Sequence, residues 1–377
     1  MSDAVKEKYS EAVKAINSAS GTPLGVTDTT IDILKFIVPE EYLDLIIAFK
    51  SRKSQTMEQL KENSGMSEEE ILRMVEFLAK KGLIMNQLSS SGLMIFRLMP
   101  FINVGVFEYT FMKKLEYTDK EKELAALFQK LRDEGHNRMM ANYDFVIKNI
   151  LPNIRPIDRT IPFTKNRETG NEIEIIVDKE LETPEEKILP TQNVRDIINK
   201  FDEIAVGHCY CRHHKDLVGH SCTQTDLREN CFSFGKSARY TTEQGFARMI
   251  TKEEALDIME KSEADGLVHK AYHPNMDFKR EEDSICNCCA DCCGQWSSIT
   301  VNLSNYVSQV NQDICAGCGT CVEKCPTGSL ELNDEGKSQK VGDRCIGCGI
   351  CAAFCPENAI SLVEKERTVR LAAPKPA

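Results

Sequence analysis

Eight cysteines near the C-terminus stand in two copies of one spacing. Cys315, Cys318, Cys321 and Cys325 form C-x-x-C-x-x-C-x-x-x-C, followed by Pro326. Cys345, Cys348, Cys351 and Cys355 repeat it, followed by Pro356. Thiolates are soft ligands suited to iron and other thiophilic metals. Three of them at i, i+3 and i+6 sit on one tight loop. They can reach three corners of a cubane cluster, where each iron takes one thiolate besides its bridging sulfides. The fourth cysteine opens a short helix, with the following proline setting φ for its first turn. Between the two copies, Asn333-Asp334-Glu335-Gly336 predicts a hairpin within residues 329–341.

From about residue 308 to 365 the chain resembles a bacterial-type two-[4Fe-4S] ferredoxin domain. In that family the fourth cysteine of each run serves the other cluster. The resemblance therefore implies that Cys315, Cys318, Cys321 and Cys355 hold cluster 1, and that Cys345, Cys348, Cys351 and Cys325 hold cluster 2. A zinc module is the competing reading. Zinc sites use four ligands in two pairs, not two runs of four with trailing prolines. The expected chemistry is electron transfer.

The other cysteines form two groups. Cys209, Cys211, Cys222 and Cys231 lie among His208, His213, His214 and His220. Cys286, Cys288, Cys289, Cys292 and Cys293 crowd into eight residues. So many reduced thiols together would repel as thiolates or oxidise at random unless a metal held them. One or two further iron–sulfur clusters are the leading reading; a structural zinc and a redox-active thiol pair are the alternatives. From Gly207 to Gly294 the chain resembles a cysteine-rich unit fused to ferredoxin domains in proteins of anaerobes. The matching pieces are His208-Cys209-Tyr210-Cys211-Arg212, Gly266-Leu267-Val268-His269 and Ile285-Cys286-Asn287-Cys288-Cys289. That resemblance implies iron–sulfur binding, and no particular reaction. His269 and His273 are candidate ligands or acid–base groups, with a structural role the expected one.

All 17 cysteines of the 377 residues lie at or beyond position 209, which leaves the first half metal-free. There the helical period runs from Ile31 to Lys50 and from Thr56 to Asn63. Ser67 and Glu70 form a capping box for the next helix, which buries Ile71, Met74, Val75 and Leu78. Two strands are expected around Ser89-Ser90-Ser91-Gly92. This order of helices and hairpin resembles the winged-helix domains of MarR-type regulators. A DNA reader needs neutral or basic residues near phosphates, yet the third helix opens with Ser67-Glu68-Glu69-Glu70. The net charge of −11 also disfavours nucleic acid. The resemblance is therefore read as a docking or dimerisation module, with nucleic acid not the expected partner.

The expected fold class is α+β. Residues 1–110 are the winged-helix-like domain and 111–206 a helical and extended connector. Residues 207–305 are the cysteine-rich metal-binding domain, 306–365 the two-cluster domain and 366–377 a tail. The connector should carry a helix from Thr118 to Asn149, a surface strand from Glu172 to Asp178 and a helix from Val194 to Phe201. Residues 1–200 are expected to fold without iron. No apolar run could span a membrane and no secretory signal opens the chain. Cysteines in that context point to a reducing cytoplasm, and exposed cubanes to an anaerobe. No nucleotide or nucleophile motif is present. The sequence reads as a component relaying low-potential electrons to or from a partner oxidoreductase. A redox-sensing transcription regulator and a redox enzyme with a substrate at a middle-domain cluster are the rival classes.

Overall fold

A computed structural model of the chain describes residues 3–19, 24–89, 91–176, 193–294 and 299–373. The class is α+β. Two compact units form: residues 1–141 with 207–221 and 238–248, and residues 142–206 with 222–237 and 249–377.

In the first unit, Thr27 caps the helix Asp28–Ile37 through a capping box. The run expected from Ile31 to Lys50 is broken at Pro39, which cannot donate to the helical ladder. A 3₁₀ turn, Glu40–Tyr42, and a short helix, Leu43–Ile47, follow it. Strand β1 (Ser54–Gln55) leads to the helix Met57–Ser64, which ends at Gly65 with φ 71°. Ser67 and Glu70 form the expected capping box on the helix Glu68–Lys80. Strands β2 (Ile84–Leu88) and β3 (Met94–Leu98) then pair antiparallel, and the sheet order is β1-β3-β2. Of the turn expected between them, Ser90 lies outside the described residues. Ile71, Val75, Leu78 and Phe96 share the core with Phe107, Phe111 and Phe128.

That core is not closed by cysteine-free sequence alone, contrary to expectation. Leu217 is part of it, and Tyr210 packs against it. Both lie on the helix Tyr210–Leu217 of the cysteine-rich stretch. His214 of the same helix stands 5.1 Å from the Phe107 ring and 5.3 Å from Phe111. Its Nε2 lies 3.0 Å from the Ala125 carbonyl oxygen. Burial, reinforced by Arg132, lowers the His214 pKa to about 3, so the ring is neutral and Nε2–H donates to Ala125.

The second unit is built on a large sheet. Its strands are β4 (Asp158–Ile161), β5 (Ile175–Ile176), β6 (Ile204–His208), β7 (Glu229–Phe234), β8 (Arg248–Ile250), β9 (Val268–Tyr272), β10 (Ser284–Cys288) and β11 (Ile299–Val310), with β14 (Ile360–Ala372). A separate hairpin is formed by β12 (Leu330–Leu332) and β13 (Ser338–Lys340) at the position the turn residues predicted. The large sheet has the order β5-β14-β11-β4-β9-β10-β7-β6-β8. Strand side chains alternate between faces. One face carries Ile161, Phe232, Phe234, Ala271 and Ile285 onto Ile197, Ile198, Ile258 and Met259 of two covering helices. The other carries Cys231, Cys286 and Lys270 at one register level, since Cys286 pairs with Cys231 on β7 and with Lys270 on β9.

Three expectations change here. Residues 158–161, read as surface connector, form a fully buried strand between β11 and β9. The strand expected from Glu172 to Asp178 is Ile175–Ile176, with residues 177 and 178 outside the described residues. Residues 366–372, read as tail, belong to β14, which pairs with β11 from Val310↔Ile360 to Ile299↔Ala372. Val369 and Leu371 are the buried positions of this stretch, and the intervening charges conceal them in the sequence.

Candidate iron–sulfur and metal centres

The cysteine loops of the C-terminal region have matching geometry. Gly317 has φ 69° and Gly347 φ 64°. A Cβ at Gly317 would stand 2.2 Å from the Gly336 carbonyl oxygen, and one at Gly347 2.3 Å from that of Tyr306. Only glycine lets each loop close so tightly on its neighbour. Each loop runs into a one-turn helix, Thr320–Glu323 and Ile350–Ala353.

The eight thiols gather in two sets drawn from both runs. The thiol of Cys321 has Cys318, Cys315 and Cys355 as electrostatic neighbours. That of Cys351 has Cys348, Cys345 and Cys325 as its stronger electrostatic neighbours and Cys321 as a weaker one. Each fourth cysteine thus sits with the first three of the other run. Backbone N–H groups point at the sulfurs. Ser338 donates to Cys315 Sγ at 3.4 Å, Ser329 to Cys325 at 3.2 Å and Ala359 to Cys355 at 3.3 Å. Such bonds stabilise sulfur carrying negative charge. Burial, the largest effect, raises the pKa of both Cys348 and Cys351, which as bare thiolates would be costly. Buried thiols, converging from two loops with N–H donors aimed at them, suit a group that takes thiolate ligands and shares their charge.

The two sets differ in exposure. Cys318 is exposed and Cys315 half-buried, whereas Cys345, Cys348 and Cys351 are all buried. The cover over the second run is the segment after β4. Phe163 N–H donates to the Cys348 carbonyl at 3.0 Å, and Asn166 Nδ2 to the carbonyls of Ala352 and Cys355 at 3.0 and 2.7 Å. Arg167 N–H bonds to Ala353 O at 2.6 Å. These residues carry no motif, and sequence reasoning missed them.

In the cysteine-rich stretch, Cys209 and Cys211 lie in the first unit and the other seven candidates in the second. Cys222, Cys289 and Cys292 are buried with all three sulfurs within 4.8 Å of one another. Cys231 and Cys286 Sγ are 3.8 Å apart. The Cys288 thiol is hydrogen-bonded to those of Cys286 and Cys293, which makes a four-thiol set beside the β7–β10 face. Cys209 and Cys211 join no group of three ligands among the described residues. His208 stacks on His213 at 4.2 Å, and His213 Nδ1 meets the Phe111 carbonyl at 3.2 Å. His269 Nδ1 lies 2.6 Å from Asn287 Oδ1, and His273 Nδ1 2.7 Å from Arg280 O.

A polar lattice unseen in the sequence adjoins the four-thiol set. Lys270 Nζ is 3.1 Å from Asp158 Oδ2 and bonds to Asn302, with all three residues fully buried. Burial opposes charge on Lys270. Asp158, Cys288 and Cys293 outweigh that effect and hold its pKa above the ordinary lysine range. Arg159 and Glu282 form a second buried pair at 2.7 Å.

Among the described residues no helix is long and apolar enough to cross a membrane. No solved structure matches the chain. Three curated relatives match short stretches. A probable ferredoxin of Methanosarcina thermophila is 53% identical over 30 residues, 8% of this chain and 52% of that protein. An iron-sulfur component of the CoB–CoM heterodisulfide reductase of Methanopyrus kandleri is 56% identical over 32 residues, 8% of this chain and 5% of its own. A ferredoxin of Pyrobaculum islandicum is 50% identical over 32 residues, 8% of this chain and 30% of its own. The chain thus spans between a twentieth and about half the length of these relatives. The family model of the 4Fe-4S dicluster domain matches residues 308–367, so the C-terminal region is a ferredoxin-type domain.

Proposed function

We propose that this chain is an electron-transfer protein that relays low-potential electrons to or from a partner oxidoreductase through two [4Fe-4S] clusters. The observation that carries the reading is the exchange of fourth cysteines. Cys355 sits with Cys315, Cys318 and Cys321, and Cys325 with Cys345, Cys348 and Cys351. A bound cubane takes up and returns one electron at each set. Exposed Cys318 marks the side where a partner exchanges electrons, and Cys345, Cys348 and Cys351, all buried, belong to the inner station. The amides of Ser338, Ser329 and Ala359 lower the cost of added charge at the sulfurs.

The four thiols of Cys231, Cys286, Cys288 and Cys293 are a further iron–sulfur station in this reading. The N-terminal helices and the β1-β3-β2 sheet serve as a winged-helix docking or dimerisation module. Exposed Glu68, Glu69 and Glu70 at the start of the helix Glu68–Lys80 support a protein partner over DNA. Likeness to a segment of a heterodisulfide reductase iron-sulfur protein supports work within a larger oxidoreductase system.

The test is reversible electron uptake. Protein purified without oxygen should bleach in its visible charge-transfer absorption on reduction by a low-potential donor. It should recover when an oxidised electron-carrier protein is added. Bleaching that does not reverse, or no visible absorption at all, contradicts the reading.

A further inference from the structure

We propose that Cys222, Cys289 and Cys292 hold a single thiophilic divalent ion of the zinc class. Nothing in the electron-transfer reading requires this centre, which draws on different cysteines from the four-thiol set.

Sulfur spacing is the first argument. Thiolates bound to one tetrahedral zinc at about 2.3 Å lie about 3.8 Å from each other. Cys222 and Cys289 Sγ are 3.6 Å apart, Cys289 and Cys292 Sγ 3.0 Å, and the whole trio fits within 4.8 Å. Thiolates on a cubane each bind a different iron, so three of them need not converge on one point as this trio does. The C-terminal cysteines supply an internal contrast. No three of them bring their sulfurs within 4.8 Å, and the trio is the only such group among the described residues.

The loop chemistry is the second. Cys289 and Cys292 form a C-x-x-C pair, and Cys292 N–H donates to Cys289 Sγ at 3.4 Å. This spacing with its amide–sulfur bond is how a short turn presents two thiolates to one ion. Cys222 comes from a distant loop that is tied to the turn. Asp291 Oδ2 accepts from Thr223 N–H at 2.6 Å and lies 3.0 Å from Thr223 Oγ1. Leu267 and Leu227 pack on the three sulfurs and dry the site. Without an ion, three buried thiols in contact would be a poor core. No fourth Cys, His, Asp or Glu among the described residues shares the 4.8 Å group, so a water or an incoming thiolate completes the tetrahedron.

The experiment measures zinc and iron together in full-length protein purified without oxygen, for the wild type, Cys289→Ala and Cys222→Ala. The wild type should contain about one zinc per chain. Either variant should lose that zinc and keep its iron, sulfide and reduced-state EPR spectrum. If a variant fails to fold, cobalt(II) exchange in the wild type decides. Tetrahedral ligand-field and thiolate-to-cobalt charge-transfer bands are expected. Zinc-free wild type without cobalt bands overturns the proposal, as do variants that lose iron and sulfide instead of zinc. Zinc present with C-terminal iron absent would instead overturn the electron-transfer reading and leave this one standing.

Discussion

Cys318 and Cys348 hold the same place in the two cysteine runs, yet Cys318 is exposed while Cys348 is only 8% accessible. The difference comes from outside the repeats. Residues 163–167 lie over the second loop, with Phe163 N–H bonded to the Cys348 carbonyl and Asn166 bonded to Ala352 and Cys355. Two copies of one motif are thereby given different access to solvent.

An iron chelator should therefore strip the two sites at different rates. About half of the C-terminal iron should leave quickly, with EPR features of the Cys315 set lost first. Asn166→Ala removes the side-chain bonds of the cover and should speed the slow phase several-fold. A single phase in the wild type, or an unchanged slow phase in the variant, counts against the cover.

Exchange of the fourth ligand can be tested directly. Cys355→Ala should damage the cluster held by Cys315, Cys318 and Cys321, although Cys355 belongs to the second run. Cys325→Ala should damage the other. EPR of the Cys355 variant showing the Cys345 set altered and the Cys315 set intact would be the opposite of what this arrangement predicts.

Lys270→Met should be strongly destabilising. It strands the Asp158 carboxylate, which is fully buried with Lys270 at 3.1 Å. Breaking a buried pair in this way costs roughly 3–5 kcal/mol. The double change Lys270→Met with Asp158→Asn should recover part of the loss, because no charge is left unpaired. Chemical denaturation of the iron-loaded protein measures both. A loss below about 1 kcal/mol for the single variant would mean the pair is not buried as described.

His214 should give the first unit an acid-sensitive stability. Its folded pKa is about 3, against about 6.5 in the unfolded chain. The folded state thus binds fewer protons, and stability is complete above the unfolded value. It falls as pH drops from about 6.5 toward about 3, by up to about 5 kcal/mol. His214→Gln keeps a donor for the Ala125 carbonyl and removes the titration. Its loss of thermal stability between about pH 7 and about pH 5 should be smaller than the wild type's. Equal losses would show that other groups dominate.

The sequence was most legible where ligands are local. The cysteine runs, the Ser67–Glu70 capping box and the hairpin around Asn333-Asp334-Glu335-Gly336 each lie within a dozen or so residues, and the structure forms the cap and the hairpin. Sheet register was not legible. Lys270 meets Cys286 and Asp158 meets Asn302 only because β9, β10, β4 and β11 are aligned, and no local pattern fixes that alignment. The same holds for Asn166 over Cys355 and for Cys222 beside Cys289. The β14 strand was hidden by Glu364, Lys365, Glu366 and Arg367, whose charges resemble a tail although the strand continues through them. The N-terminal core looked self-contained because its apolar period is strong. It nonetheless recruits Leu217 from a helix that also carries Cys211, His213 and His214.

The central claim is a two-cubane relay, and the most direct measurement is iron and acid-labile sulfide per chain together with EPR of the fully reduced protein. The C-terminal thiols call for about eight irons and eight sulfides, and further iron is expected from the four-thiol set. Two reduced clusters in one small domain should also couple magnetically and broaden the spectrum. About eight or more irons with a coupled spectrum is the predicted result. About four irons or fewer, or a simple uncoupled signal from one cluster, would contradict it.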